Sequence, residues 1–131
     1  MKPLRLELLP ETYAICRLGP EEAVPRWATD GAFLSLTRTR AELSIVCVEE
    51  AVPEGVRCQR GWRCLGVEGP LDFSLTGILT SLADPLAAVG VSIFATSTFD
   101  TDYLLLREAD LERGMDALRR AGHQIRYLPN R

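Results

Sequence analysis

Asp72-Phe73-Ser74-Leu75-Thr76-Gly77-Ile78-Leu79 is the stretch on which the fold turns. The residues before it, Trp62 to Glu68, have strand character. Those from it onward carry Leu75, Ile78, Leu79, Leu82, Leu86 and Val89 at helical spacing, which predicts a helix over Leu75 to Val89. Ser74 is the expected N-cap, its hydroxyl accepting a backbone N–H from Thr76 or Gly77. The other free amides of that turn sit at the positive end of the helix dipole and suit an anion such as a carboxylate. Gly77 leaves the turn bare, so that a ligand or a second chain can approach the backbone, at a cost to a helix of roughly 1 kcal/mol relative to Ala. On this turn alone, a capped amphipathic helix lying on a sheet is the simpler reading. Further along, Pro85 removes the hydrogen bond to the Ser81 carbonyl and predicts a kink or break near Asp84.

Working outward, Ser92 to Thr98 and Tyr103 to Arg107 read as strands, Asp110 to Ala121 as a helix and Gln124 to Leu128 as a last strand. With the strand at Trp62 the order is βαββαβ, that of a ferredoxin-like unit: an antiparallel sheet with two helices on one face. The second helix is locally well specified. Glu108, Asp110 and Glu112 crowd its start, Arg119 and Arg120 its end, and Gly122 is placed for a left-handed cap. Leu111, Met115 and Leu118 supply its buried face.

Upstream, Leu4 to Leu9 and Thr12 to Leu18 read as two strands, Val24 to Ala28 as at most one helical turn, and Phe33 to Thr37 and Leu43 to Val48 as a hairpin. Pro53 and Gly55 break the chain before the strand around Trp62. The hairpin Phe33–Val46 aligns with Phe94–Leu106 if one residue is inserted in the first, which sets Glu42 against Asp102. The chain therefore reads as a degenerate repeat, with a unit over 1–61 whose helices are shortened and a full unit over 62–131. The expected fold class is α+β, two tandem βαββαβ units.

With 131 residues, 47% of them hydrophobic, the chain can bury an ordinary core. The formal net charge of -3 divides as -1 over residues 1–61 and -2 over 62–131. No basic stripe is present, which argues against nucleic acid as a partner. The apolar runs are too short to span a bilayer, and Met1-Lys2-Pro3 leads straight into an alternating strand pattern rather than an export signal, so a cytoplasmic protein is expected. Cys16 and Cys47 fall in apolar strand runs and read as small buried hydrophobes. Cys58 and Cys64 have five residues between them, and no cysteine or histidine has zinc spacing. A disulfide between those two is disfavoured in a reducing compartment.

Little here resembles catalytic chemistry. No Ser or Cys stands in a nucleophile elbow, and the single histidine, His123, reads as a surface or strand-edge residue. Asp100-Thr101-Asp102 invites a metal reading, but Asp and Thr between two strand-like runs fit a polar hairpin turn better.

The segments Gly69–Leu79 and Ser92–Tyr103 together resemble the ACT domain family. More narrowly they are similar to small bacterial tandem-ACT proteins related to the animal cytosolic arginine sensor CASTOR and to the ACT regions of aspartate kinases. In that family a D-x-P-G-x-L motif joins the first strand to the first helix. Here Ser74-Leu75-Thr76-Gly77-Ile78-Leu79 occupies it, Gly77 matching the glycine and Ser74 and Thr76 replacing the acid and the proline. The resemblance implies a non-enzymatic regulatory module, without cofactor or metal, that binds a small ligand, usually an amino acid, between two ACT units. The implied contacts are Ser74, Leu75, Thr76 and Gly77 at the turn and Ser97, Thr98 and Asp102 in the hairpin, Asp102 matching the acid used by the arginine-sensor branch. Helix-end amides suit a carboxylate and an aspartate suits an ammonium or guanidinium group. An open edge strand needs covering, so a homodimer is expected, reporting to an unidentified protein partner. The alternative is an interaction or scaffold protein that has kept the fold and lost the ligand.

Overall fold

The structure is a computed structural model, describing residues 3–71 and 76–130. By its internal contacts the chain forms two compact units, Met1–Pro10 with Arg63–Arg131, and Glu11–Trp62. The crossing near residue 62 lies beside the expected boundary at 61, but the first ten residues group with the C-terminal unit. Strands β1 (Arg5–Leu18) and β4 (Cys58–Val67) each contribute one half to each unit.

The C-terminal unit follows β4 with α1 (Ile78–Ala88), β5 (Ile93–Ser97), β6 (Asp102–Arg107), α2 (Leu111–Arg120) and β7 (Gln124–Tyr127). This is the expected βαββαβ order, and the unit is an α+β fold. Its strands run β7-β1-β4-β6-β5, with the first half of β1 lying between β7 and β4. Arg5 to Leu8 pair in parallel with Gln124 to Tyr127, while β5 and β6 form an antiparallel hairpin. The core fills the helix side. Leu6 and Leu8, Leu65 and Val67, and Leu104 and Leu106 alternate inward and meet Leu82 and Leu86 of α1 and Leu111, Met115 and Leu118 of α2. Fully burying one such leucine contributes about 1.5–3 kcal/mol. Gly122 takes the left-handed conformation expected at the end of α2, with φ of 100°.

Three expectations change. First, β1 is one strand rather than two, because Pro10 falls where its partner changes, from β7 along Arg5–Leu8 to β3 along Tyr13–Leu18, so its missing N–H interrupts neither ladder. Second, α1 starts at Ile78 with Gly77 as its N-cap, at φ 76° and with no side-chain cap. Ser74 and Leu75 lie outside the described residues. The late start also leaves Leu79 exposed, although the helical spacing assigned it to the buried face. Third, Pro85 does not break α1, which runs on to Ala88.

The unit Glu11–Trp62 contains the second half of β1, a 3-10 turn at Arg26–Thr29, β2 (Ser35–Arg38), β3 (Leu43–Val48), a 3-10 turn at Glu49–Ala51 and the first half of β4. Its strand order is β2-β3-β1-β4. Ala14, Cys16, Ala28, Leu43, Ile45, Cys47 and Val52 make its core. Cys16 and Cys47 are the buried hydrophobes expected. None of the four cysteines is joined in a disulfide.

The two hairpins have equal loops. Thr39 N–H donates to the Glu42 carbonyl at 2.8 Å and Thr98 N–H to the Thr101 carbonyl at 2.8 Å, and in each the threonine hydroxyl accepts a loop amide. The inserted residue disappears. Arg38 pairs with Leu43 as Ser97 pairs with Asp102, so Glu42 corresponds to Thr101, and Leu43 stands where the other hairpin has Asp102.

Candidate functional site

The β5–β6 hairpin and the start of α1 enclose a cleft of about 320 Å³, lined by Leu71, Gly77, Ile78, Leu79 and the run Ser97 to Asp102. That size suits one small metabolite. Two further bonds hold the hairpin tip. Leu71 N–H donates to the Asp100 carbonyl at 2.7 Å, and the Thr101 hydroxyl donates to the Val67 carbonyl at 2.6 Å. The tip is therefore anchored to the end of β4 rather than swinging on its own turn. Its outer residue, Phe99, is 80% exposed.

On the helix side, the left-handed Gly77 turns the chain into α1, a conformation that a residue with a Cβ adopts only at a cost. The first intrahelical bond runs from Ser81 N–H to the Gly77 carbonyl at 2.9 Å, so the amides of Ile78, Leu79 and Thr80 precede the ladder. Across the cleft, Asp102 pairs with Ser97, and one carboxylate oxygen accepts the Ser97 hydroxyl at 2.6 Å. Its other oxygen has no protein donor among the described residues. Asp100 adds a second carboxylate, and no Lys, Arg or His is among the described lining residues. Beside Asp102, burial holds the Tyr103 phenol above its ordinary value, with Cys64, Glu7 and Asp100 adding to the effect.

Of the expected contacts, Gly77, Ser97, Thr98 and Asp102 come together in this cleft. Thr76 is exposed and is not among the lining residues; Ser74 and Leu75 are outside the described residues. The sequence reading missed Leu71, Ile78, Leu79, Phe99, Asp100 and Thr101 as cleft residues. An aromatic at the centre of a two-residue hairpin loop was the available signal for Phe99. The turn reading of Asp100-Thr101-Asp102 holds, and among the described residues no group of three or more His, Cys, Asp or Glu side chains is placed to hold a metal ion. His123 departs furthest from expectation: it is buried, 5% exposed, not at the surface.

Comparison with known proteins identifies the domain that carries this cleft. Residues 57–120 match the ACT domain family, and residues 11–55 match a family described as an N-terminal domain. A crystal structure of a protein from Agrobacterium tumefaciens is 44% identical, with a TM-score of 0.94, and the match covers 99% of this chain and 97% of that one. The chain is an ACT-domain protein, with that domain over residues 57–120. This ACT-domain chain is also 42% identical over 60 residues to the cytosolic arginine sensor for mTORC1 subunit 1 of Rattus norvegicus, and 37% identical over 60 residues to its Homo sapiens counterpart. Those matches cover 45% of this chain and only 18% of the sensor subunits, so the chain spans a small part of their length. The regulatory subunit of aspartate kinase from Thermus thermophilus, solved ligand-free, shares the fold at 11% identity, with a TM-score of 0.60 over 86% of this chain and 93% of that one. Among the described residues no helix is long and apolar enough to cross a membrane.

Proposed function

We propose that this chain is a non-enzymatic regulatory module that binds an amino acid in the cleft between the start of α1 and the β5–β6 hairpin. The α-carboxylate would lie against the amides that follow Gly77, and the cationic group of the ligand would meet Asp102. The observation that carries this is the convergence of a bare, left-handed helix start and a half-satisfied carboxylate on one cleft of amino-acid size. The name of the arginine-sensing relatives and the regulatory role of the aspartate kinase subunit are in keeping with it. On this reading the unit Glu11–Trp62, whose order of strands and 3-10 turns parallels βαββαβ, is a degenerate second ACT unit. A homodimer would set the cleft against another unit and pass its state to a protein partner.

A second reading, an interaction protein that has kept the fold without a ligand, is favoured by the exposed Phe99 and Leu79 beside the cleft. A thermal-shift screen against the common amino acids separates the two. A ligand at about 100 times its Kd stabilises by roughly 2.7 kcal/mol, so a clear rise in Tm with one or a few amino acids is expected. No shift with any of them would leave the interaction reading. Light scattering that gave only a 14.5 kDa species at micromolar concentration would remove the dimer.

A further inference from the structure

His123 and Pro85 are 38 residues apart in the chain and meet at one atom, the carbonyl oxygen of Ser81. Pro85 sits inside α1 and has no N–H, so the carbonyl four residues earlier, that of Ser81, lacks its helical donor. The Nε2 of His123 lies 3.2 Å from that oxygen. The ring's other nitrogen settles the direction of the bond: Leu4 N–H donates to Nδ1 at 3.1 Å, so Nδ1 carries no proton and Nε2–H is the donor to Ser81. Both nitrogens of a buried imidazole are thereby satisfied. Ser81 in turn holds the start of the helix. Its N–H donates to the Gly77 carbonyl at 2.9 Å and its hydroxyl to the Ile78 carbonyl at 2.7 Å. Gly77 and Ile78 are the helix wall of the cleft.

We propose that His123 is the positioning residue of that wall: it supplies to Ser81 the hydrogen bond that Pro85 cannot, and through Ser81 fixes where Gly77 and Ile78 stand relative to the hairpin. The same ring ties this wall to Leu4, at the entry to β1, so displacement of the wall is felt at the entry to the strand and the reverse. Pro85 is part of the device, because its missing N–H leaves the Ser81 carbonyl to a donor outside the helix. The proposal rests on the cleft being the ligand site for its effect on affinity, and on the hydrogen bonds alone for its effect on the helix.

The test is a cycle of four proteins: wild type, His123→Leu, Pro85→Ala and the double variant. Amide hydrogen exchange is followed at Ser81 and Leu82, with Met115 and Leu118 of α2 as the reference for global opening. His123→Leu should speed exchange at Ser81 and Leu82 by about tenfold relative to α2, the loss of roughly one net hydrogen bond. Pro85→Ala in that background restores an N–H four residues beyond Ser81, and should recover most of the protection. His123→Gln, whose amide keeps a donor for Ser81, is the conservative control and should exchange like wild type there; if His123→Leu folds only together with Pro85→Ala, that rescue is the recovery expected, and a double variant that also fails to fold would overturn the proposal. Equal acceleration in α1 and α2, or no recovery in the double variant, would reduce His123 to a core filler and overturn the proposal.

Titration with L-arginine supplies the second readout. His123→Leu should bind about tenfold more weakly, with recovery in the double variant. Wild type that binds no L-arginine while the exchange cycle behaves as expected removes arginine as the ligand and leaves the hydrogen-bond device standing. Wild type that binds, with affinity unchanged in all three variants, removes the coupling to the cleft.

Discussion

Replacing Asp102 by Asn should weaken amino-acid binding by about ten- to a hundredfold while leaving the fold in place. The side chain lines the cleft from the first residue of β6, opposite Ser97. One oxygen accepts the Ser97 hydroxyl at 2.6 Å, and the carbonyl of an asparagine can accept the same bond. What the substitution removes is the charge and one acceptor, replaced by an amide N–H that repels a cationic ligand group. A charge-assisted hydrogen bond contributes roughly 1.5–3 kcal/mol, and each 1.4 kcal/mol is about tenfold in Kd, which gives the stated range. Without ligand, the retained Ser97 bond should hold stability to within about 0.5 kcal/mol. Calorimetric titration with whichever amino acid raises the Tm of the wild type, with melting curves run in parallel, measures both quantities. Equal Kd for the two proteins would take Asp102 out of the site. A fall in Tm of the same size with and without ligand, and no change in Kd, would show that Asp102 only closes the hairpin.

The remaining expectations concern the backbone and the thiols. Gly77→Ala places a Cβ in the left-handed region, and should cost about 1–2 kcal/mol in urea unfolding; an unchanged midpoint would show that α1 can start elsewhere. Gly66→Ala builds a Cβ 2.8 Å from the Tyr103 ring, an overpacking that should cost about 1–3 kcal/mol, and a neutral result would mean the ring can step aside freely. Cys58 is half-buried while Cys16, Cys47 and Cys64 are each 2% exposed or less, so timed alkylation with mass spectrometry should modify Cys58 well before the others. Similar rates at all four would mean that the core opens readily under native conditions.

Much of the C-terminal unit was legible because its signals are local. The apolar spacing of α2, its flanking charges and Gly122 all lie within one short segment, and the helix appears with the buried Leu111, Met115 and Leu118 that the pattern names. The path of β1 was not legible. Pro10 reads as a break in any window centred on it, and only the three-dimensional pairing shows that its missing N–H falls between a parallel partner and an antiparallel one. Hairpin register failed for a related reason. Matching Glu42 with Asp102 by their charge required an inserted residue, whereas the backbone closes both loops on a threonine hydroxyl and needs none.

The candidate site divides along the same line. On its hairpin side the strand pattern placed a polar turn at Asp100-Thr101-Asp102, and the family resemblance alone named Ser97, Thr98 and Asp102 as contacts; all three line the cleft. Its helix side depends on where α1 begins, which the apolar spacing placed too early. The residues that decide it, Pro85 and His123, give misleading signals when read singly: a proline inside a helix suggests a break, and an isolated histidine after a glycine suggests a surface turn. Together they cancel, since the donor absent from one is the donor held by the other. A helix that tolerates proline in this way depends on its neighbour for a bond that most helices make for themselves. That dependence joins the start of α1, and with it one wall of the cleft, to the segment that enters β1.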